Sequence, residues 1–258
     1  MTPSTEFLTA RGLHKSFSGD HGTRAVLGGV DFHVARGEFV AIVGPSGCGK
    51  STLFTLLAGL DDADSGEIVL GGERITAGVP RCAYMPQNDL LFPWRSVLEN
   101  ASLGLEVQGV PRARARERAG TLFAEFGLDG FEDARPSQLS GGMRQRAALV
   151  RTVVQERPLL LLDEPLGALD SLTRTDMQYW LQDVWSRFRW TALMITHDVR
   201  EALLLADRVL VLAPRPTRVA REIRVDLPRP RTLDTTATDE FTALEREVLA
   251  ALVPTVST

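Results

Sequence analysis

The stretch Gly44-Pro-Ser-Gly-Cys-Gly-Lys-Ser51 lies between a continuously apolar run, Phe39–Val43, and a segment whose Leu53, Leu56, Leu57 and Leu60 recur at helical spacing. A short apolar run of this kind suits a strand buried on both faces, so the local order predicts strand, loop, helix. Within the loop, Gly44, Gly47 and Gly49, with Pro45, Ser46 and Cys48 between them, let the backbone curl until successive N–H groups point inward at phosphate oxygens. Lys50 adds a positive charge for the β and γ phosphates, and the Ser51 hydroxyl suits a magnesium ion. The helix that starts there, with Thr52 in its first turn, directs its positive dipole end at the same place. A glycine-rich turn could match by chance, but the strand before and the helix after are what the phosphate-binding mechanism requires.

A second apolar run, Leu159–Leu162, leads into Asp163, Glu164 and Pro165. A strand ending in Asp163 would bring a carboxylate beside the phosphate loop, where it can hold Mg²⁺ or its water. Glu164 is then placed to polarise an attacking water as a general base. Taken singly, Asp-Glu-Pro after a strand is an ordinary turn; following a phosphate loop, it completes a nucleotide triphosphatase of the P-loop type. Kinases, GTPases, helicases and motors share both motifs, so they leave the reaction open.

Between them stands Leu139-Ser-Gly-Gly-Met-Arg-Gln-Arg146. Ser140, Gly141 and Gly142 before a helix make a second helix N-terminus able to receive an anion, and in isolation they would be no more than a serine cap and a loop glycine. With this tract, the sequence over about its first 212 residues resembles the ATP-binding-cassette family. That family's signature motif carries glutamine where this chain has Met143, a change that removes one side-chain polar contact and keeps the backbone donors. The resemblance implies further roles. Gln87 corresponds to the glutamine loop that senses Mg²⁺ and the transmembrane partner, Ala168-Leu169-Asp170 to the D-loop, His197 to the switch histidine on the γ phosphate, and Phe17 to the aromatic that stacks on adenine. It also implies ATP and Mg²⁺ as ligands. Two cassettes pair head to tail, so that Ser140, Gly141 and Gly142 act in trans on the partner's nucleotide. One copy of each motif in the chain makes a homodimer the simplest completion.

The tract Met85-Pro-Gln-Asn-Asp-Leu-Leu-Phe-Pro-Trp-Arg95 is unusually apolar at Leu90, Leu91, Phe92 and Trp94. Internal packing accounts for some of these residues, and a groove receiving a short helix of a membrane-embedded permease accounts for the rest. This tract resembles importer ATPases of the nitrate, sulfonate, taurine and thiamine-precursor group. The resemblance implies two permease chains, an extracytoplasmic solute-binding protein as an indirect partner, and a peripheral place on the cytoplasmic face of the membrane. The alternative is a soluble cassette ATPase of the DNA-repair or translation type, which would carry coiled-coil insertions or a second cassette.

Bulk composition agrees. A net charge of -4 speaks against nucleic-acid binding, and two cysteines are too few for a disulfide framework. No apolar run reaches the ~20 residues needed to span a bilayer, and the start lacks a secretory signal pattern. The expected fold is an α/β P-loop core with an N-terminal antiparallel β subdomain and an inserted helical subdomain. The core is expected at about 1–89 and 157–212, the insertion at 90–156, the whole cassette over 1–230, and a short helical tail at 231–258. Helices are expected near 96–108, 112–126, 142–155, 173–188, 199–206 and 239–252. The run Arg112–Arg118 reads as a solvated helix face, and Arg215–Pro230 as edge strands and turns.

Overall fold

The computed structural model describes residues 6–19 and 22–253. Among the described residues, ten strands form two sheets. β1 (Glu6–Gly19) and β2 (Gly22–Ala35) pair antiparallel, and β1 also pairs antiparallel with β4 (Ser65–Leu70), which carries the two-residue β5 (Glu73–Arg74), giving the order β2-β1-β4-β5. The second sheet has the order β10-β9-β3-β8-β7-β6. Its members are β3 (Phe39–Val43), β6 (Ala83–Met85), β7 (Leu160–Asp163), β8 (Ala192–Ile195), β9 (Arg208–Leu212) and β10 (Val219–Arg224). All neighbours in it are parallel except β10, which runs antiparallel to β9 at one edge.

The central strands are buried along their whole length because each sheet face is covered. On one face Val40, Ile42, Leu161, Leu193, Ile195, Leu210 and Leu212 join α1 (Lys50–Leu57) and the antiparallel sheet in one core. On the other, Phe39, Ala41, Val43, Leu160, Leu162 and Met194 join the inserted helices and α6 (Ser171–Phe188) in a second. The alternation of side chains along each strand thus sends one residue set to each subdomain. The mixed α/β fold is the one expected.

The insertion runs from β6 to β7 and contains α2 (Val97–Ala101), α3 (Leu103–Val107), α4 (Arg112–Gly120) and α5 (Gly141–Val153). The helix expected over 96–108 is two helices with Ser102 between them; its backbone stays right-handed at φ -77° and ψ -11°, so the axis is only briefly interrupted. Ser96 and Glu99 form a reciprocal capping box at its start. The helix expected over 112–126 stops at Gly120. From there Leu122 and Phe123 reach back only three residues, to Ala119 and Gly120, and Gly127 at φ +63° closes the following turn. Glycine at 120 and threonine at 121 are weak helix formers, and burial of Phe123 and Phe126 overrides continuity. Pro111 precedes this helix as its cap. Arg112 and Arg116 are not a solvated face alone, since both reach Glu99 and tie α4 to α2.

Along α6, Met177, Leu181, Val184 and Trp185 are buried, whereas Phe188 stacks on Trp190 at 4.7 Å at the helix end and stays partly exposed. α7 (Val199–Leu205) and α8 (Asp239–Leu252) complete the chain, with Phe241 and Val248 of α8 in the same core as α7 and β9. Before α8, Arg231 is 1% exposed. It donates to the carbonyls of Leu203, Ala206 and Val225 at 2.8, 2.6 and 3.0 Å, satisfying the open end of α7. Burial holds its pKa down to about 10. No helix among the described residues is long and apolar enough to cross a membrane.

Candidate functional site

The phosphate loop lies where β3 ends and α1 begins, at the carboxyl edge of the parallel sheet. Gly47 and Gly49 have φ +71° and +124°, conformations that side chains rarely tolerate. A Cβ on Gly49 would stand 2.8 Å from Cγ1 of Val26. The Lys50 ammonium is folded into the loop, donating to the carbonyls of Gly44 and Pro45 at 2.7 and 3.1 Å. Cys48 is buried, so it meets a ligand only through its backbone.

A cavity of about 340 Å³ opens over this loop, lined by Ser46, Gly47, Gly49, Lys50, Ser51, Thr52, Glu164, His197 and Arg215. Glu164, at φ +46°, is turned off the end of β7 into it. One carboxylate oxygen, Oε2, takes Nε2–H of Gln87 at 3.1 Å and lies 3.2 Å from Nδ1 of His197. The structure thus brings three expected residues from three separate loops to one oxygen atom. His197 sits past β8, in a turn where the Asp198 N–H donates to the Thr196 hydroxyl and the Asp198 carboxylate caps α7.

Asp163 lies beneath the cavity at the end of β7, buried and bonded by the Tyr84 hydroxyl at 3.1 Å. Burial raises its pKa above the usual carboxylate range, the Tyr84 bond lowers it, and Glu164 next door raises it further. Loss of water around its own hydroxyl, and then the Asp163 charge, push the Tyr84 phenol up as well. A buried carboxylate held at a charge cost, with the Ser51 hydroxyl in the first turn of α1 and the Gln87 amide after β6, offers oxygen donors suited to a hard cation such as Mg²⁺. Tyr84 is not apparent from sequence, because only the β6–β7 pairing places it opposite Leu161, two residues before Asp163.

Phe17 is exposed near the end of β1, with the Lys15 ammonium 5.4 Å from its ring centre, and is free to stack. The signature residues stand apart from the cavity. Ser140 caps α5, its hydroxyl accepting the Met143 N–H at 3.2 Å. Gly142 packs so tightly against α6 that a Cβ would come within 3.1 Å of Thr173, and Met143 leans its side chain on the core. Asp170 caps α6 through the Thr173 N–H.

The tract after Gln87 divides. Leu91 is buried, while Leu90, Phe92 and Trp94 are exposed, Trp94 by 69%, with the Phe92 and Trp94 rings stacked at 5.1 Å. This tract is fastened to α5. Arg144 faces the Asp89 carboxylate at 3.4 Å, and Arg151 donates to the carbonyls of Asp89 and Leu90, the latter at 2.8 Å.

A family profile described as ABC transporter matches residues 27–167. The chain is 46% identical over 247 residues to the aliphatic sulfonates import ATP-binding protein SsuB of Rhodopseudomonas palustris, covering 95% of this chain and 83% of that one. It is 43% identical to the formylaminopyrimidine import ATP-binding protein ThiZ of Halalkalibacterium halodurans, covering 88% and 90%. Its fold matches the dimeric post-hydrolysis state of the ATP-binding cassette MJ0796 bound to ADP and phosphate, with a TM-score of 0.73, 26% identity and coverage of 86% of this chain and all of that one. A profile spanning more than half the sequence and relatives matched along nearly all of it show that this chain belongs to the ABC transporter family, as an ATP-hydrolysing cassette.

Proposed function

We propose that the chain is the ATPase subunit of an importer. It would bind ATP with Mg²⁺ at the cytoplasmic face of a membrane and drive separate permease chains that carry a small solute of the sulfonate, nitrate, taurine or thiamine-precursor kind. The observation that carries the site assignment is the convergence of Gln87 and His197 on Oε2 of Glu164 beside the Lys50 loop. Glu164 accepts the proton of the attacking water. His197 orients that carboxylate and meets the γ phosphate. The loop N–H groups and Lys50 hold the phosphate chain, and Phe17 stacks on the adenine. Ser51, Asp163 and Gln87 would hold Mg²⁺, which would neutralise part of the triphosphate charge.

In a head-to-tail homodimer, Ser140, Gly141 and Gly142 of one protomer meet the γ phosphate of the other. Their absence from the cavity lining within one chain supports this reading, since α5 carries a capped N-terminus that its own Lys50 cavity does not use. Names of the relatives support import, and the exposed Leu90-Phe92-Trp94 surface beside Gln87 supports a permease contact. We take 90–156 as the helical insertion within a cassette of 1–230, followed by the tail at 231–258.

Glu164→Gln keeps size and removes basicity. ATP binding should survive while hydrolysis slows by about 10² to 10⁴. Slow turnover should trap a two-nucleotide dimer, visible by light scattering with Mg-ATP and absent without it. Parent-rate hydrolysis by this variant would refute the assignment of the base.

A further inference from the structure

Arg215 belongs to none of the expected motifs, yet it lines the same cavity as Lys50, Glu164 and His197. It lies in the turn between β9 and β10, and that turn is fixed on two sides. Thr217 is fully buried, and its hydroxyl donates to the carbonyl of Cys48 inside the phosphate loop. Its backbone N–H donates to Val26 and its carbonyl accepts from Gly28, both at 2.8 Å, which stitches the turn to β2. Pro216 closes on Gly28 so tightly that a Cβ there would stand 2.8 Å away. The backbone that carries Arg215 is therefore built onto the loop itself.

Arg218 and Arg224 of the same stretch are exposed to solvent, and the other arginines near Arg215 are satisfied within the protein. Arg208 is paired with Glu38 and Glu222, Arg229 with Asp207, and Arg231 with carbonyls. Among the described residues Arg215 has neither ion pair nor hydrogen bond, and its Nε is shielded from water without a partner. A buried donor left open is costly, and a fixed charge with no counter-ion in a polar cavity more so. Such a group is explained by an anion that arrives with the ligand. A nucleotide triphosphate brings several negative charges, whereas the cavity lining supplies only Lys50 and Arg215 as fixed cations against Glu164.

We infer that Arg215 is a second cationic ligand of the nucleotide, donating in cis to the phosphate chain beside the loop's own amides. The inference rests on the nucleotide site proposed above and adds a residue to it. Because arginine presents a rigid fork of donors, lysine replaces its charge but not its geometry.

The test uses the full chain and compares Arg215→Ala and Arg215→Lys with the parent. Equilibrium binding of ATP and of ADP is measured with a fluorescent analogue, together with the melting temperature without nucleotide. Arg215→Ala should weaken binding of ATP, of ADP or of both by about ten- to a hundredfold, as expected for loss of a charge-assisted bond. Arg215→Lys should recover part of that loss, and the nucleotide-free melting temperature should stay within about 2 °C of the parent's. If Arg215 merely braces the turn, the melting temperature falls while affinity per folded molecule is unchanged, and the inference is overturned. It is equally overturned if both affinities equal the parent's. Failure of the parent chain itself to bind nucleotide would sink the site assignment instead, so the two failures are distinct.

Discussion

Glu201 stands in the first turn of α7, 3% exposed, directly behind the turn that carries His197. One of its oxygens accepts the Thr196 hydroxyl and the other, Oε1, has no partner among the described residues. Burial raises its pKa to about 7 from 4.5, with Asp198 adding to the rise and the Thr196 bond, Arg174 and His197 opposing it. Between those two values the folded chain keeps a proton that the unfolded chain has released. Stability is therefore greatest below pH 4.5 as far as this group is concerned, and it is lost as pH rises through about 7. The difference corresponds to about 3 kcal/mol, or roughly 10 °C of melting temperature for a chain of this size. Glu201→Gln keeps an acceptor for Thr196 and removes the titration. Melting curves of parent and variant from pH 5 to 8.5 at fixed ionic strength share every other titrating group, so their difference isolates Glu201. The variant should gain on the parent by several degrees as pH rises. A difference that stays flat within about 2 °C would mean that Glu201 is already ionised in the fold.

Lys50→Ala should weaken ATP binding and hydrolysis together, because the ammonium held by Gly44 and Pro45 is the loop's fixed charge; unchanged turnover in a phosphate-release assay would displace the nucleotide site. Trp94→Ala should leave nucleotide affinity near the parent value, since the ring is outside the cavity, and should weaken capture of the permease in a pull-down. Lower stability of the isolated chain with undiminished capture would assign Trp94 to packing.

The parts of the fold that were legible in the sequence are those governed by local chemistry. Phe39–Val43 and Leu159–Leu162 read as central strands because both faces of each are covered, which leaves no room for polar alternation. The phosphate loop and the Ser140 cap announce themselves through glycine and serine placement. Where long-range packing decides, the sequence misleads or says nothing. The helix after Pro111 ends six residues early because Phe123 and Phe126 turn into the core. Tyr84 and Arg215 enter the site only through strand pairing or a distant turn, and Arg231, by residue type a surface side chain, is buried because α7 ends on it.

The two arginines that fasten the Gln87 tract to α5 have a mechanical consequence. Arg144 and Arg151 are seven positions apart, which on a helix places the two attachments ~10 Å from one another along the axis. A segment held at one point can swivel about it; held at two, it cannot. A displacement of Asp89 and Leu90 therefore bears on α5 near both of its ends at once, and the nearer attachment, Arg144, stands one turn from the Ser140 cap.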